Sequence, residues 1–200
     1  MILNIYNTIY NIIIYDKILS KEEVLKITNR YYISYHCRND ICILTDNDYC
    51  THIVEFPDEN GNLIEYITDT CNYSDIQLNK CNDVTSCNND KECLSNKCYK
   101  NICMFNNETQ IIHCDNIYTK PTLFRDRSSY MYCGKAYRDI CNENDECSSK
   151  KCIYNRCRMQ TNGPNEGEGI GVYVSFMIYA TIILIICLII LIIYKICKKK

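Results

Sequence analysis

Fifteen cysteines precede the apolar C-terminal stretch of this chain: Cys37, Cys42, Cys50, Cys71, Cys81, Cys87, Cys93, Cys98, Cys103, Cys114, Cys133, Cys141, Cys147, Cys152 and Cys157. Two more, Cys187 and Cys197, bring the total to 17 in 200 residues. That density reaches the roughly 8–10% range of disulfide scaffolds, well above an ordinary cytosolic domain. Zinc is the competing use of thiols, and its structural sites favour Cys-x2-Cys knuckles. No Cys-x2-Cys occurs here, the closest pairs being x4, and only three His accompany them. Disulfides are therefore expected, with no metal and no cofactor.

The framework recurs within the chain. Cys87–Cys103 reads CNNDKECLSNKCYKNIC and Cys141–Cys157 reads CNENDECSSKKCIYNRC. Both run x5, x4, x4 between cysteines, and nine of the seventeen positions are identical. Duplication of one small cross-linked unit accounts for this. Extended outward, Cys37-x4-Cys42 resembles the closing pair of each unit, and Cys50-x20-Cys71 parallels Cys114-x18-Cys133. Cys81 then has no counterpart. It is either free, paired into an incomplete first unit, or open to an intermolecular bond that would give a disulfide-linked dimer.

Each unit has too few large aliphatic residues to offset chain entropy unaided. A bridge closing a ~15-residue loop contributes on the order of 3 kcal/mol in the chain-entropy model. The Asn, Asp, Ser and Lys between the cysteines favour turns over helices. The expected fold class is small, irregular, disulfide-rich modules with short β-ribbons (one hairpin at 152–157), plus one C-terminal transmembrane α-helix.

That helix follows from Gly171–Tyr194, 24 consecutive residues without a charge. At 1.5 Å per residue the stretch spans roughly 36 Å, enough for a ~30 Å hydrocarbon layer. Lys195, Lys198, Lys199 and Lys200 follow it. The residues before it hold all 24 acidic side chains and 18 of the 22 basic ones, a balance near −6. The positive-inside rule puts the basic tail in the cytoplasm and the Cys-rich part outside, in the plasma membrane or secretory pathway. Cys197, among lysines beside the membrane, is an acylation candidate. Asn72-Tyr73-Ser74 and Asn107-Glu108-Thr109 make Asn72 and Asn107 glycosylation candidates.

The chain thus divides into an apolar N-terminal segment with a short helix (1–30), the tail of an incomplete Cys unit (31–49), Cys-rich module 1 (50–103) and module 2 (114–157). A flexible stalk (158–169), the span (170–194) and a basic tail (195–200) complete it. The first segment reads as a poor signal peptide, as a truncated mature start of a longer chain, or as part of a protein that lacks a signal and is anchored by its C-terminus. Ser20-Lys21-Glu22-Glu23 fits a capping box for a helix through Arg30. His36 and His113, each just before a Cys, are expected to be exposed polar residues.

The Cys-Asn-x-x-x-Glu-Cys-x-Ser-x-Lys-Cys-x-x-Asn-x-Cys unit resembles Cys-rich modules of single-pass surface proteins of AT-rich anaerobic gut fungi. Its core is also loosely similar to the Dickkopf N-terminal cysteine-rich domain. The resemblance covers about 35 residues in two copies plus the span, implies a cell-surface protein, and transfers no active site. No phosphate loop, nucleophile elbow or paired-His metal motif is present. The acidic outer part lacks the basic stripe that nucleic acid requires. The expected function is non-catalytic, in recognition or adhesion, with the lipid bilayer and an extracellular protein or glycan as partners. The alternative is an envelope or entry protein of a virus, anchored by its C-terminus.

Overall fold

The computed structural model describes residues 18–46, 52–81, 84–122, 124–160, 163–165 and 167–198. They form two compact units. The larger holds the described residues up to Ile117 together with Ser129–Gly163, and the smaller holds Tyr118–Ser128 and Pro164–Lys200.

The larger unit is organised by a hairpin of β2 (Ile33–Arg38) and β3 (Ile41–Asp46). Its turn, Asn39-Asp40, has φ of 48° and 68°. Both residues are left-handed, as a two-residue type I′ turn requires, and Asn and Asp tolerate that region best after Gly. β1 (Ile18–Ser20) pairs with β3, and β8 (Ile112–Thr119) pairs with β2. With β9 (Ser128–Lys135) the sheet order is β1-β3-β2-β8-β9. Both faces of the sheet are covered. Tyr35, Cys37, Cys42, Cys114 and Met131 pack with Val24 on one face. Ile43, Ile111 and Ala136 pack with Val54, Phe56 and Leu94 on the other.

Val24 comes from α1 (Lys21–Leu25), which opens on the capping box read from the sequence. Glu23 N–H donates to Ser20 Oγ, and Ser20 N–H donates to the Glu23 carboxylate. The helix stops at Leu25, not Arg30. Ile27 O accepts from Met131 N and Asn29 N donates to Ser129 O, so the chain is drawn into extended contact with β9. Lys26 caps the helix end, its N–H donating to Glu23 O, and Asn29, left-handed at φ 55°, follows in the segment beside β9.

Val54 and Phe56 project from β4 (Ile53–Pro57), which pairs with β5 (Leu63–Ile67). A short helix, α2 (Tyr73–Gln77), follows. The two Cys motifs then fold alike. Each has a 3₁₀ turn (Asp90–Glu92; Asn144–Glu146) and a two-stranded ribbon, β6/β7 (Cys98–Tyr99, Ile102–Cys103) and β10/β11 (Cys152–Ile153, Arg156–Cys157). Matching hydrogen bonds hold them, Cys98 N to Asp90 Oδ1 and Cys152 N to Asn144 Oδ1. Each also docks by a parallel bridge on a preceding strand, Ile67 with Cys93 and Lys135 with Cys147. The hairpin expected at 152–157 is present, and the five-stranded sheet goes beyond the β-poor modules expected.

The smaller unit contains a bridge between Thr122 and Arg125 and the helix α3 (Gly167–Lys198). The helix starts three residues before the expected span and continues through Lys195. Gly163, the last residue of the larger unit, lies close to Tyr32, whose ring would be 2.8 Å from an added Cβ.

The ribbon turns Lys100-Asn101 and Tyr154-Asn155 repeat the Asn39-Asp40 geometry, with φ of 50–62°. A β-branched side chain in that region costs roughly 1–2 kcal/mol, whereas Gly does not. Asn101→Val is therefore expected to lower stability by about 1–2 kcal/mol, with Asn101→Gly close to wild type. Denaturant midpoints measured with the disulfides intact check this.

Candidate functional site

Seven disulfides join fourteen of the fifteen cysteines before the span. The two recurring motifs bond first to third and second to fourth. The pairs are Cys87–Cys98 and Cys93–Cys103 in one, Cys141–Cys152 and Cys147–Cys157 in the other. The x4 spacing is the hairpin itself, two flanking residues and a two-residue turn. It makes Cys98 and Cys103, and Cys152 and Cys157, cross-strand neighbours.

Cys37 and Cys42 occupy the same register in the β2–β3 hairpin but bond to each other, with Cα atoms 4.0 Å apart. Residues 33–46 are the middle of the sheet, so the structure places the segment expected as a module's tail at the unit's centre.

None of the three fates weighed for Cys81, free, paired into an incomplete first unit or bonded to another chain, is the one observed: Cys81 bonds to Cys71 across the loop holding α2. The outward register fails for the same reason. Cys71 lies four residues past Ile67, where each module docks, whereas Cys133 lies two residues before Lys135 and bonds Cys114 across strands. Cys50, the fifteenth, lies outside the described residues.

The two sheet disulfides meet. Cys42, Cys37, Cys114 and Cys133 stand on four successive strands, and the Sγ atoms of Cys37 and Cys114 are 3.5 Å apart. The antiparallel register of β2 and β8 sets Tyr35 opposite Cys114, His36 opposite His113 and Cys37 opposite Ile112. The His-Cys dipeptides thereby put both cysteines on one face and both histidines on the other.

His113 is buried and His36 is half-buried with its Nδ1 shielded from solvent, which overturns the expectation of exposed residues. Their rings lie 4.5 Å apart, edge to face. His113 Nδ1 lies 3.2 Å from Ser148 Oγ, and Ser148 Oγ donates to Asp115 Oδ2 at 2.6 Å. Asp115 and Ser148 are each 2% exposed. Ser148 follows Cys147, and its N–H donates to Lys135 O. Gly134 permits that approach, since a Cβ there would lie 2.6–2.8 Å from the backbone of 146–148. Ser, His and Asp thus meet as a buried clamp of module on sheet, with Asp115 Oδ2 also 3.4 Å from His113 Nδ1. The serine hydroxyl donates to the carboxylate, whereas in a catalytic triad it donates to the base. The paired His-Cys dipeptides were the available signal. Only the pairing of two strands 77 residues apart gives them their meaning.

His36 Nδ1 has no hydrogen-bond partner among the described residues. Burial, reinforced by His113, holds its pKa well below the ordinary 6.5. Asp139, buried ahead of the second module, is shifted the opposite way for a carboxyl, upward, by desolvation.

α3 contains a candidate membrane span, Tyr173–Lys198, with mean hydropathy 3.3. Its described side chains are exposed and apolar on every side, the pattern of a helix surrounded by lipid. Ser175 Oγ and Thr181 Oγ1 donate to carbonyls of their own helix. Cys187 lies within the span, and Cys197 is exposed near its basic end. Asn72 is half-buried ahead of α2, and Asn107 is exposed. Comparison with family models, curated proteins and solved structures gives no match.

Two outcomes follow. Non-reducing peptide mapping is expected to recover the seven pairs named above, and first-to-second pairing in either motif would overturn the fold. Stability is expected to fall with acid below about pH 6.5, because the unfolded chain protonates His36 and the folded one does not. The extra slope is up to about 1.4 kcal/mol per pH unit for that proton. His36→Phe should remove one proton's worth of slope from denaturation midpoints measured between pH 7 and 5.

Proposed function

We propose that this chain is a single-pass membrane protein whose disulfide-stapled domain faces an oxidising compartment or the cell exterior and serves as a non-catalytic recognition or adhesion surface. One conjunction carries the reading: a domain cross-linked seven times shares its chain with a 26-residue apolar span. Disulfides persist on the oxidising side of a membrane and are rare in the cytosol. Lys195 and Lys198 at one end of the span, against an acidic domain at the other, support a cytoplasmic C-terminal end.

The non-catalytic part of the reading rests on burial. The one Ser, His and Asp grouping described above is closed to solvent, and its serine hydroxyl donates to a carboxylate instead of to a base. A rigid, cross-linked surface loses little conformational entropy on binding, which suits recognition.

Protease protection in sealed microsomes tests the orientation. The cysteine-rich domain is expected to resist added protease until detergent opens the vesicle. In hydroxylamine-treated membranes, where thioester-linked acyl groups are removed, Cys197 is expected to react with a membrane-impermeant maleimide from the cytoplasmic side, while Cys187 stays unlabelled. A domain digested in intact vesicles would sink the proposal.

A further inference from the structure

Within the larger unit, a cleft of about 220 Å³ opens where the Thr70–Lys80 segment faces the closing ribbon of the second module. Lys80, Arg138, Arg156 and Arg158 line it, against one carboxylate, Asp75. Arg156 Nη2 pairs with Asp75 Oδ2 at 2.8 Å, and its Nη1 donates to the Arg138 carbonyl at 3.3 Å. That contact ties Arg156 to the backbone of Arg138, whose φ of 70° is uncommon for a non-glycine residue. A fixed guanidinium therefore sits beside three further cations, leaving the cleft with a formal excess of three positive charges. The residues before the span carry a balance near −6, so this convergence runs against the character of the domain.

Cations gathered in a concave site focus the field and draw anions. Guanidinium forks match oxyanions in geometry as well as charge. The volume falls below the ~300 Å³ of sites for drug-sized ligands and equals about seven waters at ~30 Å³ each. It accommodates one small charged group. Phe105 adds an apolar wall and Thr70 lines the cleft beside it. The acidic remainder of the domain repels a long polyanion such as a nucleic-acid strand. We propose that this cleft binds the oxyanion of an acidic saccharide residue, a sulfate or a carboxylate. The inference rests on the recognition reading above and specifies its ligand class.

Asn72 lines the same cleft and heads a glycosylation sequon. A glycan there would share the cleft with a ligand, and Ser74→Ala removes the sequon while keeping Asn72.

The test uses the full chain in nanodiscs, as wild type and as Ser74→Ala, titrated with a heparin-derived tetrasaccharide and with its fully desulfated form. Saturable one-to-one binding that weakens with salt is expected. Arg138→Ser/Arg158→Ser should weaken it on the order of tenfold or more, since two charge-assisted contacts are lost. Lys91→Ser/Lys100→Ser, which removes the same charge elsewhere, should stay within about twofold on the same energy scale. Binding of both probes identifies the carboxylate as the recognised group, and binding of the sulfated probe alone identifies the sulfate. Arg138→Lys/Arg158→Lys guards against misfolding, because it keeps the charge and should still lose affinity. Equal losses in the two serine pairs, or no saturable binding in Ser74→Ala, overturn the proposal. The microsome assay is independent: an outward domain with an inert cleft removes only this inference.

Discussion

The cystine bridge is the constraint on which the rest of this structure depends, because in the modules it acts as both cross-link and core. The buried cluster of the first module is Ile67 with Cys87, Cys93 and Cys103, and that of the second is Cys141, Cys147 and Cys157 alone. Sulfur is a small, polarisable hydrophobe, and two bridges packed together exclude water from the middle of a loop with few aliphatic residues. Reduction would remove chain closure and apolar burial in one step. The five-stranded sheet differs in that Val24, Tyr35 and Met131 supplement its sulfur, so its cohesion is shared between packing and cross-links.

The bridges in turn depend on a backbone device of two residues. Each hairpin pair, Cys37 with Cys42, Cys98 with Cys103 and Cys152 with Cys157, flanks a turn whose central residues both have positive φ, and Asn occupies one of them every time. That turn fixes which residues face each other, hence where the sulfurs stand before any bond forms. The bonding then follows local supply. In the modules, Cys87 with Cys93 and Cys141 with Cys147 arrive from the preceding 3₁₀ turn, and the ribbon cysteines bond outward to them. In the β2–β3 hairpin the neighbours bond directly.

What the sequence made legible was what is local. Cysteine spacing identified the scaffold class, the run from Gly171 to Tyr194 identified the span, and Ser20 with Glu23 identified a helix start. The central sheet escaped although Ile33–Arg38 (ISYHCR) alternates apolar and polar residues, because repeat alignment assigned that segment to the tail of a Cys unit and its partner β8 lies far along the chain. The partner of Cys81 did have a local signal, since its ten-residue separation from Cys71 equals that of Cys93 from Cys103. Repeat alignment overrode it by matching Cys71 to Cys133. The histidine pair and the cationic cleft stayed hidden through distance alone. His36 with His113, and Lys80 with Arg138, Arg156 and Arg158, are distant in the chain and meet only through tertiary pairing.

The apolar helix is longer than a bilayer needs, and its residues indicate how the surplus is used. Thirty-two residues extend about 48 Å, against a hydrocarbon layer of ~30 Å. Tyr173 and Tyr194 lie 21 residues apart, a rise of about 32 Å, which sets one aromatic near each boundary of the layer. Lys195 and Lys198 then fall in the aqueous interface, where they also complement the negative end of the helix dipole. The residues before Tyr173 include Gly167, Gly169 and Gly171, which favour helix weakly. That end is the natural place for the helix to leave the membrane and continue toward the cross-linked domain. The tyrosines and lysines therefore set the depth of the span, and the glycines take up the excess length.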